Sequence, residues 1–276
     1  MTQPLLEVED LNVTFKTPHR LVRAVRDISF TVGKEKVGIV GESGSGKSAT
    51  GRAILKLTPG NGTVSAKKMR FEELDLAGAT ETDMLKVRGS RIGMILQDPK
   101  FSLDPVMRVG DQVAEALPPG LSRSEARERV LAMLEAVKIR NPERVYNLYP
   151  HECSGGMGQR VMIAMMLVPE PKLLIADEPT SALDVTVRMQ VLAILDDLVS
   201  RRGLGLMFIS HDLNLVATFC DRVLIMYAGR IVEECKASEL RDAKHPYTQG
   251  LLASLPRIGE RRKHLSTLVR DPAWAL

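Results

Sequence analysis

The sequence predicts an α/β fold in which a parallel-sheet core is interrupted by a helical insertion. Three observations lead to this prediction. The chain has 276 residues, 44% of them hydrophobic, so it can bury a full core. Short β-branched runs alternate with segments of helical period in its first and last parts. The middle, from about Phe101 to Pro169, contains little strand signal and is typical of helices.

The N-terminal elements are a strand followed by a strand–turn–helix unit. LLEVEDLNVTF (5–15) alternates apolar and polar residues, as a half-buried strand does. KVGIV (36–40) is a short β-branched run that ends at a glycine and predicts a second strand. GKSATGRAILKL (46–57) then has the pattern of a helix. A strand, a glycine-rich turn and a helix in this order begin an α/β unit.

The middle region predicts at least one well-capped helix, after which the α/β alternation returns. Ser122 and Glu125 have capping-box spacing at the start of LSRSEARERVLAMLEAV (121–137), where apolar residues follow at helical period. Beyond it, the predicted strands are KLLIA (172–176), LGLMFIS (204–210) and RVLIMYAG (222–229). The predicted helices are VTVRMQVLAILDDLV (185–199) and DLNLVATFC (212–220).

The charge distribution and the cysteine content argue against a nucleic-acid partner, disulfide bonds and a zinc site. The formal net charge is +4 with both signs interspersed, and only PRIGERRKH near the C-terminus is locally basic. No aromatic residues accompany that cluster, so we expect a solvated surface and no nucleic-acid partner. The odd number of cysteines (Cys153, Cys220 and Cys235) and the lack of a CxxC pair favour neither disulfides nor a zinc site. The expected compartment is therefore a reducing cytoplasm.

The sequence contains no recognisable targeting or membrane-spanning segment. MTQPLLEVED lacks the charged and apolar regions of a signal peptide. The longest apolar runs, such as VMIAMMLV, reach only about half of the ~20 residues that cross a bilayer. We expect any membrane role to go through a partner.

The stretch GESGSGKS predicts a phosphate-binding loop between a strand and a helix. It consists of Gly41, Glu42, Ser43, Gly44, Ser45, Gly46, Lys47 and Ser48, which fit G-x4-G-K-S/T. Glycines let backbone N–H groups turn inward around a polyphosphate, and the helix N-terminus adds partial positive charge. Lys47 can reach the β- and γ-phosphates, and Ser48 can bind Mg²⁺. The alternative, a fortuitous Gly/Ser loop, does not explain the flanking strand and helix.

A second motif places two carboxylates at the end of an apolar strand. In KLLIADEPTSALD the apolar run leads directly into Asp177 and Glu178, and the carboxyl ends of strands bind ligands in α/β sheets. Asp177 would hold Mg²⁺, and Glu178 would orient or deprotonate an attacking water. A solvated acidic turn is the alternative, but it does not explain the apolar strand or the upstream loop.

The stretch SGGMGQR (154–160) places a serine and two glycines before a run that predicts a buried helix. Taken alone, it indicates a loop followed by a helix that Ser154 caps. A function can be assigned to this stretch only together with the motifs around it.

The order of these motifs resembles the nucleotide-binding domain of ABC transporters. The chain contains, in sequence, GESGSGKS, ILQDP, SGGMGQR, LLIADEP, SALD and ISHD. The resemblance covers about Leu5 to Leu252. It implies a P-loop NTPase core with a helical subdomain inserted between the Q-loop, in ILQDP, and the Walker B motif, in LLIADEP. The expected segments are 1–98 (N-terminal part of a RecA-like and antiparallel β core), 99–170 (helical signature subdomain), 171–238 (C-terminal part of the core) and 239–276 (C-terminal extension).

The resemblance also implies ATP with Mg²⁺ and a site shared by two subunits. ATP at the P-loop of one subunit is covered by Ser154, Gly155 and Gly156 of a head-to-tail partner. The two glycines leave room for backbone N–H groups, the helix directs its positive end to the γ-phosphate, and Ser154 offers a hydroxyl. Hydrolysis then depends on dimer closure.

Four further positions match family motifs residue by residue. Gln97 matches the Q-loop glutamine that contacts Mg²⁺ or water, and His211 matches the switch histidine that contacts the γ-phosphate. Asp184 matches the D-loop aspartate, and Phe15 occupies the place of the aromatic residue that stacks on adenine. The expected catalytic residues are therefore Lys47, Gln97, Glu178 and His211. The expected Mg²⁺ ligands are Ser48, Gln97 and Asp177.

Within that superfamily, the chain resembles ATP-binding subunits of the dipeptide, oligopeptide and nickel importer group. YPHE, QRVMIAM, PKLLIADEPT, ALDVTV, IMYAGR and HPYTQGLL carry this resemblance. It implies two transmembrane permease subunits, a second ATPase subunit (the same or a sister chain), an extracytoplasmic solute-binding protein, and a location at the cytoplasmic face of the inner membrane. Peptides are the expected solute, with nickel and glutathione as alternatives.

Two departures from the group lie at the signature. Gly158 stands where a larger polar residue is usual, which costs about 1 kcal/mol inside a helix and removes a charge near the partner's nucleotide. Cys153 replaces a bulky apolar residue, and the cysteine-rich tail is missing, so we predict no iron–sulfur cluster. The remaining alternatives are a partner that binds ATP but hydrolyses it poorly and a soluble, non-transport ABC ATPase; the latter usually has two motif sets or a long coiled coil.

Overall fold

A computed structural model describes residues 3–96, 102–181 and 183–255, together with Asp271 and Trp274. The strands are β1 (Leu6–Lys16), β2 (Leu21–Val32), β3 (Lys36–Val40), β4 (Gly62–Ser65), β5 (Lys68–Phe71), β6 (Leu74–Asp75), β7 (Ile92–Ile95), β8 (Leu173–Asp177), β9 (Gly205–Ser210), β10 (Arg222–Tyr227) and β11 (Arg230–Lys236). The helices are α1 (Lys47–Ile54), α2 (Glu81–Leu85), α3 (Val109–Glu115), α4 (Arg123–Ala136), α5 (Pro142–Tyr146), α6 (Gly155–Leu167), α7 (Val185–Arg202), α8 (Leu213–Phe219) and α9 (Pro246–Ser254).

The described residues form two compact units. The first draws on Met1–Ala79 and Met207–Leu276, and the second is Thr80–Leu206. The four segments expected from the sequence stay a prediction. The chain passes from the second unit back to the first inside β9.

The first unit contains an antiparallel sheet in the order β2-β1-β5-β6, with β4 also paired to β1. Burial alternates along most of β1, which confirms the half-buried strand that its sequence predicts. Phe15 pairs with Val22 of β2 on one side and with Gly62 of β4 on the other.

Four further strands complete the sheets of the first unit, and three of them, β3, β9 and β10, are largely buried. β3 pairs in parallel with β10, from Val37 opposite Arg222 to Val40 opposite Ile225. β11 returns antiparallel to β10, and β9 is the other neighbour of β3. The last four residues of β3 are buried, as is typical of a strand covered on both faces. This strand carries the phosphate-binding motif at its end.

The second unit combines a parallel strand pair with helices. β7 and β8 are in parallel register from Ile92 opposite Leu173 to Ile95 opposite Ala176. The predicted helix of the middle region is confirmed as α4. The Ser122 hydroxyl accepts from the Glu125 N–H, and the Glu125 carboxylate accepts from the Ser122 N–H at 2.8 Å. The capping box predicted from spacing alone therefore forms.

Among the described residues, no helix is both long enough and apolar enough to cross a membrane.

Candidate functional site

The phosphate-binding motif forms a turn that joins β3 to α1. β3 ends at Val40, and α1 begins at Lys47 with Gly46 as its N-cap. Gly46 has a left-handed backbone, with φ of 105°, and a Cβ at this position would lie 2.3 Å from the Ala24 carbonyl oxygen. Only glycine tolerates both the positive φ and the close carbonyl oxygen. The backbone therefore requires a glycine here, in addition to the phosphate-binding chemistry of the motif.

The Lys47 ammonium lies inside this turn. The residue is only 6% exposed, and its Nζ donates to the carbonyl oxygens of Gly41 at 2.8 Å and Glu42 at 2.9 Å. The loop thus holds a cation beside the first turn of α1, where the helix dipole adds partial positive charge. Such an arrangement can bind the phosphates of a nucleotide.

Neighbouring segments brace the loop through main-chain hydrogen bonds. The Gly229 N–H, in the turn between β10 and β11, donates to the Ser45 carbonyl at 3.0 Å, and Arg26 N–H donates to the Gly229 carbonyl at 2.7 Å. The Glu42 N–H donates to the phenol oxygen of Tyr247 at 3.1 Å. No role for Tyr247 was predicted from the sequence. The only signal was its place in HPYTQGLL.

Phe15 and His211 also belong to the first unit. Phe15 is half-buried in β1, and its ring lies against Gly62. It pairs with Val22, two residues before the Ala24 that approaches the phosphate-binding loop. His211 is exposed and directly follows β9, the neighbour of β3, so the histidine and the loop follow the last residues of adjacent strands.

In the second unit, the two motif carboxylates occur where β8 ends. Asp177 is the last residue of the strand and is 2% exposed, whereas Glu178 is half-buried. Glu178 has a left-handed backbone with φ of 48°, an uncommon conformation for a non-glycine residue. The Ser181 N–H and hydroxyl both donate to its carbonyl oxygen, at 3.3 and 3.1 Å. The chain therefore turns immediately after the two carboxylates.

The signature stretch begins α6 as the sequence predicts. The Ser154 hydroxyl oxygen caps the helix by accepting from the Met157 N–H at 3.3 Å, and its own proton can still be donated. A Cβ on Gly155 would meet no atom within 4 Å, so this part of the helix start is open. α6 continues through Gly158, whose N–H donates to the Ser154 carbonyl at 2.9 Å.

Two further contacts connect α6 to the segment after β8. The Gln159 side-chain amide donates to the Pro179 carbonyl at 2.6 Å, and Gly156 faces the Val187 side chain of α7. Asp184 caps α7 by accepting from the Val187 N–H at 3.0 Å. Gln159 was not predicted from the sequence, although it lies only three residues after Gly156 in SGGMGQR.

The sequence also singles out Gln97 and Cys153 near this region. Gln97 lies outside the described residues. Cys153 is half-buried before the signature serine, where burial and the neighbouring Glu152 raise the pKa of its thiol. It is therefore a poorly ionised thiol and not an activated nucleophile.

Comparison with known proteins identifies the family. Residues 25–181 match the protein family described as ABC transporter. The chain belongs to this family. The ABC ATPase is 50% identical over 259 residues to the oligopeptide transport ATP-binding protein OppD of Bacillus subtilis (strain 168), a match that covers 92% of this chain and 72% of the relative. It is 46% identical over 272 residues to OppD of Salmonella typhimurium, covering 97% and 81%.

Solved structures support the same family assignment. A dimeric structure of the ATP-binding cassette MJ0796 in a post-hydrolysis state, bound to ADP and Pi, aligns with a TM-score of 0.75 and 26% identity over 84% of this chain and 98% of that one. CbiO1 from Clostridium perfringens, part of the ABC transporter complex cbiONQ, aligns with a TM-score of 0.74 and 28% identity over 87% and 92%. The resemblance read from the motifs and the α/β P-loop fold class are thus confirmed.

Proposed function

We propose that this ABC ATPase hydrolyses ATP to drive uptake of oligopeptides through a membrane importer. The observation that carries the ATP-binding part is the buried Lys47 ammonium inside the loop at the start of α1. The peptide assignment is supported by the likeness to oligopeptide transport ATP-binding proteins along more than nine-tenths of the chain.

In the first unit, the phosphate-binding loop supplies the charge that a nucleoside triphosphate needs. Lys47 would balance the β- and γ-phosphates, and loop N–H groups would donate to their oxygens. Phe15 would stack on adenine, and the exposed His211 would contact the γ-phosphate. Phe15 and His211 take these roles from the family resemblance.

In the second unit, Glu178 would orient or deprotonate the water that attacks the γ-phosphate. Ser154, Gly155 and Gly156 would cover the nucleotide of a second ATPase subunit. The open helix start at Gly155 and the donor proton of Ser154 support this role. Asp184, the cap of α7, would belong to the same contact. ATP binding would then be coupled to dimer closure and, through the Q-loop residue Gln97, to the permease.

The residues that the family resemblance assigns to Mg²⁺ offer oxygen donors of the kind that this ion binds. Ser48 provides a hydroxyl in the first turn of α1, and Asp177 provides a buried carboxylate at the end of β8. Both are hard oxygen ligands, which Mg²⁺ prefers. Bound Mg²⁺ would neutralise charge on the β- and γ-phosphates. Gln97 is the third assigned ligand.

The proposed partners are two permease subunits, a second ATPase subunit and an extracytoplasmic solute-binding protein, with the ATPase at the cytoplasmic face of the inner membrane. A groove in the second unit is a suitable place for a cytoplasmic helix of the permease. Its lining includes Pro105, Leu148, Tyr149 and Val106, the last of which is 78% exposed. Apolar surface of this kind marks interaction sites.

The proposal is tested by uptake of a labelled oligopeptide mixture in cells that lack the chain and are complemented with variants. Wild type should restore uptake, whereas Lys47→Ala and Glu178→Gln should not. Glu170→Gln is the matched control, because Glu170 is an exposed glutamate of the same unit, also with positive φ, whose carboxylate pairs with Arg202 at 3.4 Å. It should transport as wild type does.

Two results would contradict the proposal in different ways. Normal peptide uptake without the chain, together with lost nickel or glutathione uptake, would reassign the solute. Steady-state ATP turnover in Glu178→Gln equal to that of wild type would remove Glu178 from its proposed role.

A further inference from the structure

One peptide group of the phosphate-binding loop is held at both of its polar ends. The carbonyl of Gly41 accepts from Lys47 Nζ at 2.8 Å, and the N–H of the same peptide, on Glu42, donates to the Tyr247 phenol oxygen at 3.1 Å. In a trans peptide the C=O and N–H bonds point in opposite directions. Lys47 and Tyr247 therefore hold this peptide from opposite sides.

Tyr247 is well suited to act as a fixed support. Its side chain is completely buried, although it belongs to α9, some two hundred positions after the loop in the sequence. The Tyr227 ring packs on it with 4.5 Å between ring centroids, and Trp274 packs at 6.0 Å. A phenol locked by neighbouring rings loses little further entropy when it accepts the loop N–H.

The start of α9 is anchored separately by a carboxylate of β11. Glu233 accepts from the Lys244 N–H at 2.6 Å and from the His245 N–H at 3.2 Å. Burial alone would raise the pKa of Glu233, but the nearby Thr248 hydroxyl and these two N–H groups lower it overall. Glu233 is therefore ionised at neutral pH and fixes the residues that precede Tyr247.

We propose that Tyr247 is a positioning residue for ATP binding, because it orients the peptide whose carbonyl holds the Lys47 ammonium. This inference rests on the proposed role of the loop in binding ATP. Without the phenol oxygen, rotation of the Gly41–Glu42 peptide would turn that carbonyl away from Lys47. The ammonium would then be less well placed for the phosphates. Tyr247 acts through the backbone and does not itself touch the nucleotide.

The test compares Tyr247→Phe, which removes only the hydroxyl, with Tyr227→Phe, which removes a hydroxyl from the same aromatic group but none that contacts the loop. The measurements are the Kd for ATP, KM and kcat of hydrolysis, and Tm without nucleotide. A lost hydrogen bond predicts that Tyr247→Phe raises Kd and KM about 3- to 10-fold, with kcat nearly unchanged. Tyr227→Phe should match wild type in Kd and KM.

A wild-type Kd and KM in Tyr247→Phe would overturn the inference, whatever the change in Tm. If that variant does not fold, Trp274→Ala replaces it, because this change loosens the support around Tyr247 and removes no group of the loop. It should raise Kd in the same direction, and an unchanged Kd would again overturn the inference. Lys47→Ala separates the two proposals: if it binds ATP as wild type does, the loop assignment itself fails.

Discussion

The side-chain amide of Gln159 donates a hydrogen bond of 2.6 Å to the main-chain carbonyl of Pro179. Gln159 lies in the first half of α6 and is 2% exposed, and Pro179 directly follows Glu178. The helix that begins with the signature residues is thereby connected to the turn that carries the proposed catalytic carboxylate. Separating the two would leave a buried amide without its partner, which is costly.

The change Gln159→Leu removes this connection while keeping a side chain of similar size. The Pro179 carbonyl then loses its donor, so the free energy of unfolding should fall by about 1–3 kcal/mol. ATP turnover per folded molecule should also fall, because the turn at Glu178 is no longer held. Chemical denaturation and steady-state hydrolysis measure the two effects.

Gln112→Leu is the matched control for this experiment. Gln112 is 5% exposed in α3 of the same unit, and its amide donates to the carbonyls of Asp104 and Met107, both at 2.9 Å. It should lose at least as much stability but retain more turnover per folded molecule. Equal loss of turnover in the two variants would mean that Gln159 acts on stability alone.

The two signature glycines should respond differently to an added methyl group. Gly155→Ala meets open space, so Tm should not fall, yet ATP turnover should drop at least tenfold if this surface must approach a partner's nucleotide. Gly156→Ala places a Cβ 3.0 Å from Val187, so Tm should fall as well.

Val187→Ala provides the control for the second glycine. Combined with Gly156→Ala, it should relieve the close contact and restore part of the Tm without restoring turnover. If the double variant hydrolyses ATP at the wild-type rate, the glycine is needed only for packing against α7.

The elements that the sequence predicted are those with a strong local pattern. The β-branched run of β3 is found at the predicted residues, and the capping box of α4 forms as its spacing indicates. β2 was not predicted, because the charged residues Arg23, Arg26 and Asp27 interrupt its apolar positions, and the strand depends on pairing with β1. β7 is only four residues long and was missed for lack of length.

The site residues, too, could be predicted where they belong to a local sequence motif and not elsewhere. Lys47, Asp177 and Ser154 occur in local motifs, and their neighbours in sequence suffice to place them at strand or helix ends. Tyr247 and Gln159 could not be assigned in this way, because each acts through a main-chain group that is distant in sequence. Because the partner of each side chain is a main-chain carbonyl or N–H, the sequence contains no complementary side chain that would indicate the hydrogen bond.

The aromatic residue in β1 gives a third prediction. If Phe15 stacks on adenine, Phe15→Ala should raise the KM for ATP about 2- to 10-fold, and Phe15→Tyr should restore it, because the ring is kept. The Ala variant also loses packing against Gly62, so apparent affinity must be measured under conditions where the protein is folded. An unchanged KM in Phe15→Ala would assign the ring to sheet packing.

The buried thiol of Cys220 gives a prediction on reactivity and pH. The residue is 8% exposed, and burial, with a smaller contribution from Asp221, raises the pKa of its thiol to about 12, against 9.0 for the ordinary group. Native protein treated with iodoacetamide at pH 8.5 should therefore be labelled at Cys153 and Cys235, which are half-buried, before Cys220. In denaturant all three should react at similar rates, as peptide mass spectrometry can measure.

The same thiol should make the fold sensitive to alkali. Since the folded pKa is above the unfolded one, the neutral thiol favours the folded state fully below pH 9, and this contribution is lost as the pH rises from 9.0 towards about 12. The free energy of unfolding should decline over that range, and Cys220→Ala should reduce the decline. Labelling of native Cys220 as fast as Cys153, or an identical alkaline slope in Cys220→Ala, would show that burial does not control this thiol.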